Sequence, residues 1–351
     1  MFFELESNVK FHTRKLSKEI IHITHLNDNE NKEFFLLRTN SKRTQAFNLK
    51  NNNLQIQTNK AMIIYDNIIS YNGDQLVATS DNSNQIRLYS TNNLNCFSEF
   101  EKIHVNFPLK FYHFPKIDNN ICLTTGDKDI KLWDFMKGRF LGSLGEHENS
   151  TFLLNDLSAF KEGFISCTDF NYEIKVWDFY RKEIVVSIKE VQDFINCSLY
   201  DNYYDQHHLY ICGNESKVRI FNLNSGNCDF DLVGHEEAIF KIIFITKSLL
   251  ASVGGIYRSS IKIWNFLNGN CLKTILLFSG GVKKILFNSK LEIILTVMGD
   301  KIFYFDIRNG QKSYTFKKIH KDFITDFTMS KDQEKIFTIG MDLQLVNWNI
   351  I

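Results

Sequence analysis

The stretch "DIKLWDF" occupies Asp129–Phe135, and "EIKVWDF" follows at Glu173–Phe179, forty-four residues later. Two near-copies at that distance point to an internal repeat, and a repeat decides the fold before any other feature does. The shared core is hydrophobic-x-hydrophobic-aromatic-Asp/Asn. It recurs as "TQAFN" with Phe47, "IRLYS" with Tyr89, "IKLWD" with Trp133 and "IKVWD" with Trp177. It continues as "VRIFN" with Phe221, "IKIWN" with Trp264, "IFYFD" with Phe305 and "LVNWN" with Trp348. The aromatic positions lie 42, 44, 44, 44, 43, 41 and 43 residues apart.

More than the aromatic repeats. About ten residues ahead of it lies an apolar run, for example "ICLTT", "FISCT", "LYICG", "LLASV" and "KIFTI". A turn rich in Gly or Asn follows it, then another run, as in "RFLGSL", "CDFDLV" and "CLKTIL". A fourth run precedes each of the apolar runs that lie ahead of the aromatic: "PLKFYHF", "TFLLNDL", "AIFKIIF", "VKKILF" and "FITDFTM". Four short strands per unit of about 43 residues make one antiparallel sheet, and alternating spacers place one face of each strand inward. A sheet that small cannot bury both faces alone. Radial stacking lets each copy cover its neighbour, so the expected fold is all-β, a single closed β-propeller over residues 1–351.

On these residues the chain resembles the WD-repeat β-propeller family, over nearly its whole length. The dipeptide is literal at Trp133-Asp134 and Trp177-Asp178 and becomes "WN" at 264–265 and 348–349. The family's Gly-His pair is present as Gly234-His235, 29 residues before Trp264. The His stands without its Gly at His104, His147 and His320, which lie 29, 30 and 28 residues before a Trp. The resemblance implies a buried hydrogen-bonded chain of His, Ser/Thr, Asp and Trp, structural rather than catalytic. In the unit around Trp133 it implies His104, Thr125, Asp127 and Trp133. Asp342 occupies the matching turn before Trp348. Arg258 stands at that offset before Trp264 and Glu215 before Phe221, so those units are expected to lose the chain and rely on packing.

Eight motifs imply eight blades; seven is the alternative, because the first unit carries Ala46-Phe47-Asn48 in place of a Trp motif. The last unit reaches Ile351 directly after its third strand, and residues 1–16 precede the repeats of 17–351. The expectation is that 1–16 supplies the closing outer strand of the last blade, which would remove an exposed sheet edge.

A net charge of +1 gives no bulk electrostatic case for nucleic acid or an acidic membrane. Glu4 and Glu6 interrupt what a secretory signal would need as an apolar core, and no apolar run approaches the roughly 20 residues of a membrane span. Seven cysteines with no C-x-x-C spacing read as reduced, mostly buried thiols in a cytoplasmic or nuclear protein. Neither metal nor cofactor is expected. His22 and His25 are three apart on a predicted strand and so face opposite ways. His207 and His208 read as solvated loop residues. "SGGVKK" (Ser279–Lys284) lacks phosphate-loop spacing, and no G-x-S-x-G or H-E-x-x-H occurs.

No catalytic set emerges, so the chain reads as a non-enzyme that binds one or more proteins or peptides. Two turns between second and third strands are unusual. "DFNYE" places Phe170 and Tyr172 where a small polar turn is normal, and "GGIYRSS" carries Tyr257 and Arg258. Exposed Tyr and Arg are typical interface anchors. The sequence leaves open whether these side chains meet a partner or fold back over a neighbouring blade. "YDNYYDQHH" (Tyr200–His208) on the other rim is a further candidate. The resemblance implies a scaffold in an intracellular multiprotein complex. Its alternatives are a peptide or histone-tail reader, with Phe170, Tyr172 and Tyr257 around a methyl-lysine, and a subunit of a ribosome-biogenesis, ciliary or cytoskeletal complex.

Overall fold

The structure is a computed structural model. It describes residues 10–15, 20–27, 33–39, 44–48, 54–57, 62–71, 74–81, 85–90, 96–100, 110–113, 120–125, 129–146, 156–160, 164–168, 172–201, 207–277, 281–282, 284–308, 313–315 and 320–349. The described elements are eight four-stranded antiparallel sheets, and each repeat aromatic lies on the third strand of its sheet. The degenerate first unit forms a sheet like the others. Among the described residues no helix is long and apolar enough to cross a membrane.

The chain divides into two compact units. One comprises residues 1–97 and 285–351. Its first sheet is Ile20–Asn27, Glu33–Thr39, Thr44–Asn48 and Leu54–Gln57. The second sheet is Met62–Tyr71, Asp74–Asp81, Ile86–Ser90 and Cys96–Phe100, and the division falls within its last strand, after Phe97. The seventh is Ile285–Asn288, Ile293–Met298, Lys301–Asp306 and Ser313–Thr315. The eighth is Ile324–Met329, Lys335–Gly340 and Gln344–Asn349, with Lys10–Lys15 as its outer strand. That outer strand pairs antiparallel from Lys10↔Asn349 to Lys15↔Gln344.

The other unit comprises residues 98–284. Its third sheet is Lys110–His113, Ile121–Thr125, Asp129–Asp134 and Arg139–Glu146. The fourth is Asp156–Phe160, Phe164–Thr168, Ile174–Asp178 and Glu183–Ile188. The fifth is Ile195–Asp201, His208–Gly213, Lys217–Asn222 and Cys228–Val233. The sixth is Ile239–Phe244, Leu249–Gly254, Ser260–Asn265 and Asn270–Leu276.

One-faced alternation, expected from the sequence, does not describe the second strands. Leu209–Gly213, Leu250–Gly254 and Ile336–Gly340 are buried at every position. The reason is that apolar clusters lie on both sides of such a strand. Tyr210 and Cys212 pack with Leu250 and Trp264 of the sixth sheet, while Leu209 and Ile211 pack with Ile174 and Val176 of the fourth. Fully burying one such side chain is worth about 1.5–3 kcal/mol, so a second strand covered on both faces anchors its sheet. Outer strands lack that cover: Phe140, Ile184, Val185, Val233, Leu272 and Leu276 are exposed. The same position explains the cysteines. Cys122, Cys197 and Cys212 on inner strands are buried, but Cys96 and Cys271 on outer strands are exposed and Cys228 is half-buried. The expectation of mostly buried thiols therefore fails for half of the described ones.

The Asp/Asn that follows the aromatic has a local job. Asp134 Oδ1 accepts from the Met136 and Lys137 amides, and Asp178 Oδ1 from those of Tyr180 and Arg181. Asn222 and Asn265 accept in the same way from Asn224 and Leu267. Either residue type supplies the carbonyl-type oxygen that such a turn needs, which is why they interchange. A register shift falls just before the aromatic at Ala46/Phe47, Leu132/Trp133, Val176/Trp177, Ile220/Phe221 and Ile263/Trp264. Each shift adds one residue to the outer strand, a β-bulge that bends the strand and re-aims a side chain.

Removing residues 1–16 strips Lys10–Lys15 and leaves Gln344–Asn349 as an unpaired edge. The truncated chain is expected to melt at a clearly lower temperature by circular dichroism. A melt superimposable on that of the full chain would contradict this role for the strand.

Candidate functional site

Three sheets hold a tryptophan by the same hydrogen bond. Trp133 Nε1 donates to Thr124 Oγ1 at 2.9 Å, Trp264 Nε1 to Ser252 Oγ at 2.8 Å and Trp348 Nε1 to Thr338 Oγ1 at 2.9 Å. The register explains the choice of hydroxyl. Trp133, Trp264 and Trp348 stand opposite Cys122, Leu250 and Ile336, and the acceptor in each case lies two residues beyond. Two residues on is the same face of the strand; one residue on is the other face. Thr125, assigned to the chain by sequence, is therefore off by one: it lies opposite Ile130, and its buried hydroxyl has no hydrogen-bond partner among the described residues. His104 and Asp127 lie outside the described residues, as do His147 and Phe170.

The eighth sheet carries the chain whole. Asp342 Oδ1 lies 3.0 Å from His320 Nδ1, and His320 Nε2 lies 2.7 Å from Thr338 Oγ1. Gly340 makes room for it: a Cβ there would come within 2.7 Å of His320 Nδ1 and 2.8 Å of Asp342 Oδ1. The sixth sheet, expected to lack the chain, keeps it with a substitute. Ser260 Oγ lies 3.2 Å from His235 Nδ1, and His235 Nε2 lies 2.7 Å from Ser252 Oγ. Ser260 was missed because the offset from the Trp led to Arg258, whereas the register places the partner at the start of the third strand. Phe221 of the fifth sheet has no ring N–H, and the corresponding position is the apolar Ile211. A net hydrogen bond is worth about 1 kcal/mol against about 3–5 for truncating a buried aromatic, so a sheet with Phe loses little.

Burial, with Lys262 nearby, depresses His235 to about 4 from an ordinary 6.5. The unfolded chain then takes up the proton first as the pH falls. His235 contributes stability in full above about 6.5 and loses it toward about 4, on the order of 3 kcal/mol.

Of the predicted rim residues, Tyr172 folds back. It is half-buried, adopts a positive φ of 67° and packs edge-on against Phe194 with centroids 5.3 Å apart. Tyr257 and Arg258 do not fold back. Tyr257 is 87% exposed, and the Arg258 side chain is 81% exposed with Nη1 3.5 Å from Glu236 Oε2. Their loop is nonetheless fixed. The Glu237 carboxylate accepts the amides of Ile256, Tyr257 and Arg258 at 2.6, 3.1 and 3.1 Å. Those bonds hold Glu237 below the ordinary carboxylate range. Gly255 turns at φ 99° where a Cβ would meet Arg258 O at 2.4 Å, and Ser259 Oγ donates to Gly255 O at 2.7 Å. The rigid loop lifts Ile256, Tyr257 and Arg258 into solvent.

His207 and His208 are not solvated loop residues. His207 Nδ1 lies 2.7 Å from the Tyr200 hydroxyl, and His208 Nε2 lies 2.8 Å from Asp229 Oδ2. Among the described residues there is no cluster of three His, Cys, Asp or Glu able to hold a metal ion.

Solved structures share this arrangement. The chain matches the C-terminal WD40 domain of Sif2 with a TM-score of 0.73 and 11% identity, over 97% of this chain and 98% of that one. The chain has the WD-repeat β-propeller fold. A computationally designed protein, Ika8, matches this propeller with a TM-score of 0.70 and 15% identity, over 95% of this chain and 98% of that one. No family model matches the sequence, and no curated protein does. Four of the eight aromatic positions are Trp, and Ser260 stands where the eighth sheet has Asp342, so the recurring residues differ between sheets that keep the same strand order.

Thr124→Val is expected to cost about 1–3 kcal/mol by denaturant unfolding and Thr125→Val close to nothing. Equal costs would contradict the face assignment. For His235, the stability of wild type minus that of His235→Asn, measured from pH 7 to 4, is expected to shrink as the pH falls; a flat difference would rule out the buried neutral ring.

Proposed function

We propose that the chain is a non-catalytic protein-interaction scaffold in an intracellular multiprotein complex. In this reading its eight sheets form one closed ring, the strand at 10–15 completing the last blade. The observation that carries the reading is the loop at 255–258. One carboxylate, that of Glu237, holds three successive amides, and the outcome is a Tyr and an Arg presented to solvent. Backbone order fixed before binding lowers the entropy cost of association, and Tyr with Arg are the side chains that most often anchor interfaces. Tyr257 and Arg258 are the proposed contacts. Tyr172 is assigned instead to packing against Phe194, so an aromatic cage built from Tyr172 and Tyr257 finds no support. Direct nucleic-acid binding is disfavoured by the net charge of +1.

Affinity capture of the tagged chain from cells, with mass spectrometry, is expected to recover a defined set of proteins. Tyr257→Ala with Arg258→Ala should reduce that recovery several-fold and leave the melting temperature unchanged. Glu237→Gln, which weakens the pin but keeps both contacts, should give an intermediate loss. Undiminished recovery with the double variant would remove this loop from the interface.

A further inference from the structure

Cys197 lies on the first strand of the fifth sheet and Cys212 on the second, and the register sets them directly opposite each other. Cys122, Cys167, Cys228 and Cys271 stand opposite residues other than cysteine. Opposed residues of an antiparallel pair have Cα atoms about 4.5–5.5 Å apart, inside the range of about 4.4–6.8 Å that a disulfide spans. Both side chains belong to the apolar cluster between the fifth and sixth sheets, so both point to one face. The two thiols are within hydrogen-bonding reach of each other.

Their surroundings decide how they react. Both are free thiols, Cys212 2% exposed and Cys197 8%. Burial pushes the Cys212 thiol up, the adjoining Cys197 adds to this, and Lys241 on the first strand of the sixth sheet opposes it. The thiolate is the reactive form, so a sheet that stays closed keeps the pair reduced. When the first strand opens, both thiols regain water and ionise more readily. Cys197, the less deeply covered, is the one an oxidant reaches first.

We propose that Cys197 and Cys212 form a redox switch, which hydrogen peroxide converts to an intrachain disulfide that locks the first two strands of the fifth sheet together. The Cys197 thiolate attacks one peroxide oxygen; an S–O bond forms, the O–O bond breaks and hydroxide leaves. The Cys212 thiolate then attacks the sulfenic sulfur; the S–S bond forms, the S–O bond breaks and a second hydroxide leaves. The two thiol protons neutralise the hydroxides, so two thiols and one peroxide give one disulfide and two waters. The new bond closes the segment 197–212, which removes freedom from the unfolded chain and holds the sheet closed. The switch stands apart from the rim reading, because it uses neither Tyr257 nor Arg258.

The test is peptide mapping of the full chain after exposure to hydrogen peroxide, with free thiols alkylated before digestion. Cleavage after Lys189 and Lys217 releases residues 190–217, which hold both cysteines and no other. Under peroxide sufficient to oxidise the exposed Cys271, most of this peptide is expected to resist alkylation and to lack two hydrogens until dithiothreitol is added. The oxidised chain should melt several degrees higher than the reduced one, and dithiothreitol should reverse the gain. Cys197→Ala and Cys212→Ala should each show neither change. The mapping is made on the wild-type chain, so it reads the linkage whether or not the variants fold. Both cysteines of 190–217 remaining open to alkylation, their conversion to sulfinic acid without a disulfide, an oxidised chain that melts no higher, or an equal gain in either variant would each overturn the proposal.

Discussion

Everything in this molecule depends on covering a thin sheet on both faces. Four strands of about six residues cannot enclose a core, and a lone sheet of this size would leave half of its Ile, Leu, Val and aromatic side chains in water. The structure answers by placing an apolar cluster between consecutive sheets. Residues of the third and fourth share one cluster, as do those of the fourth and fifth, the fifth and sixth, and the seventh and eighth. The second strand, with cover on both sides, is buried along nearly its whole length; the outer strand, with least cover, admits exposed Val233 and Leu276.

The polar chains sit inside this apolar frame and depend on it. A buried His such as His235 or His320 is costly unless its nitrogens are matched, and each is matched on both sides. Sheets differ in how much of the chain they keep. The eighth has Asp, His, Thr and Trp; the sixth replaces the Asp with Ser260; the fifth has Phe221 and Ile211 and no such bond. Packing energy exceeds the hydrogen-bond contribution severalfold, so the polar set can erode while the sheet persists. The bulge beside the aromatic is more widely shared, and five of the eight sheets carry it.

The period of the aromatic was legible because it is set by the length of one four-stranded unit, and that length varies little. Strand order and the turn role of Asp or Asn follow from it. Finer placement was not legible. Thr124 and Thr125 are adjacent and chemically identical, and only the pairing of Cys122 with Trp133 says which one faces the ring. Counting back from Trp264 led to Arg258, because the long 255–258 loop displaces the offset and hides Ser260. Of the candidate rim, Tyr257 and Arg258 stand exposed, while Tyr172 turned inward onto Phe194, a contact made across two sheets.

Native-state hydrogen exchange on backbone amides tests the central claim most directly, that cover on both faces of the second strands holds each sheet. The account predicts that amides of Leu250–Val253 and Ile336–Ile339 exchange only through global unfolding, more slowly than those of the outer strands Glu183–Ile188 and Asn270–Leu276. Second-strand amides exchanging as fast as outer-strand ones would contradict it.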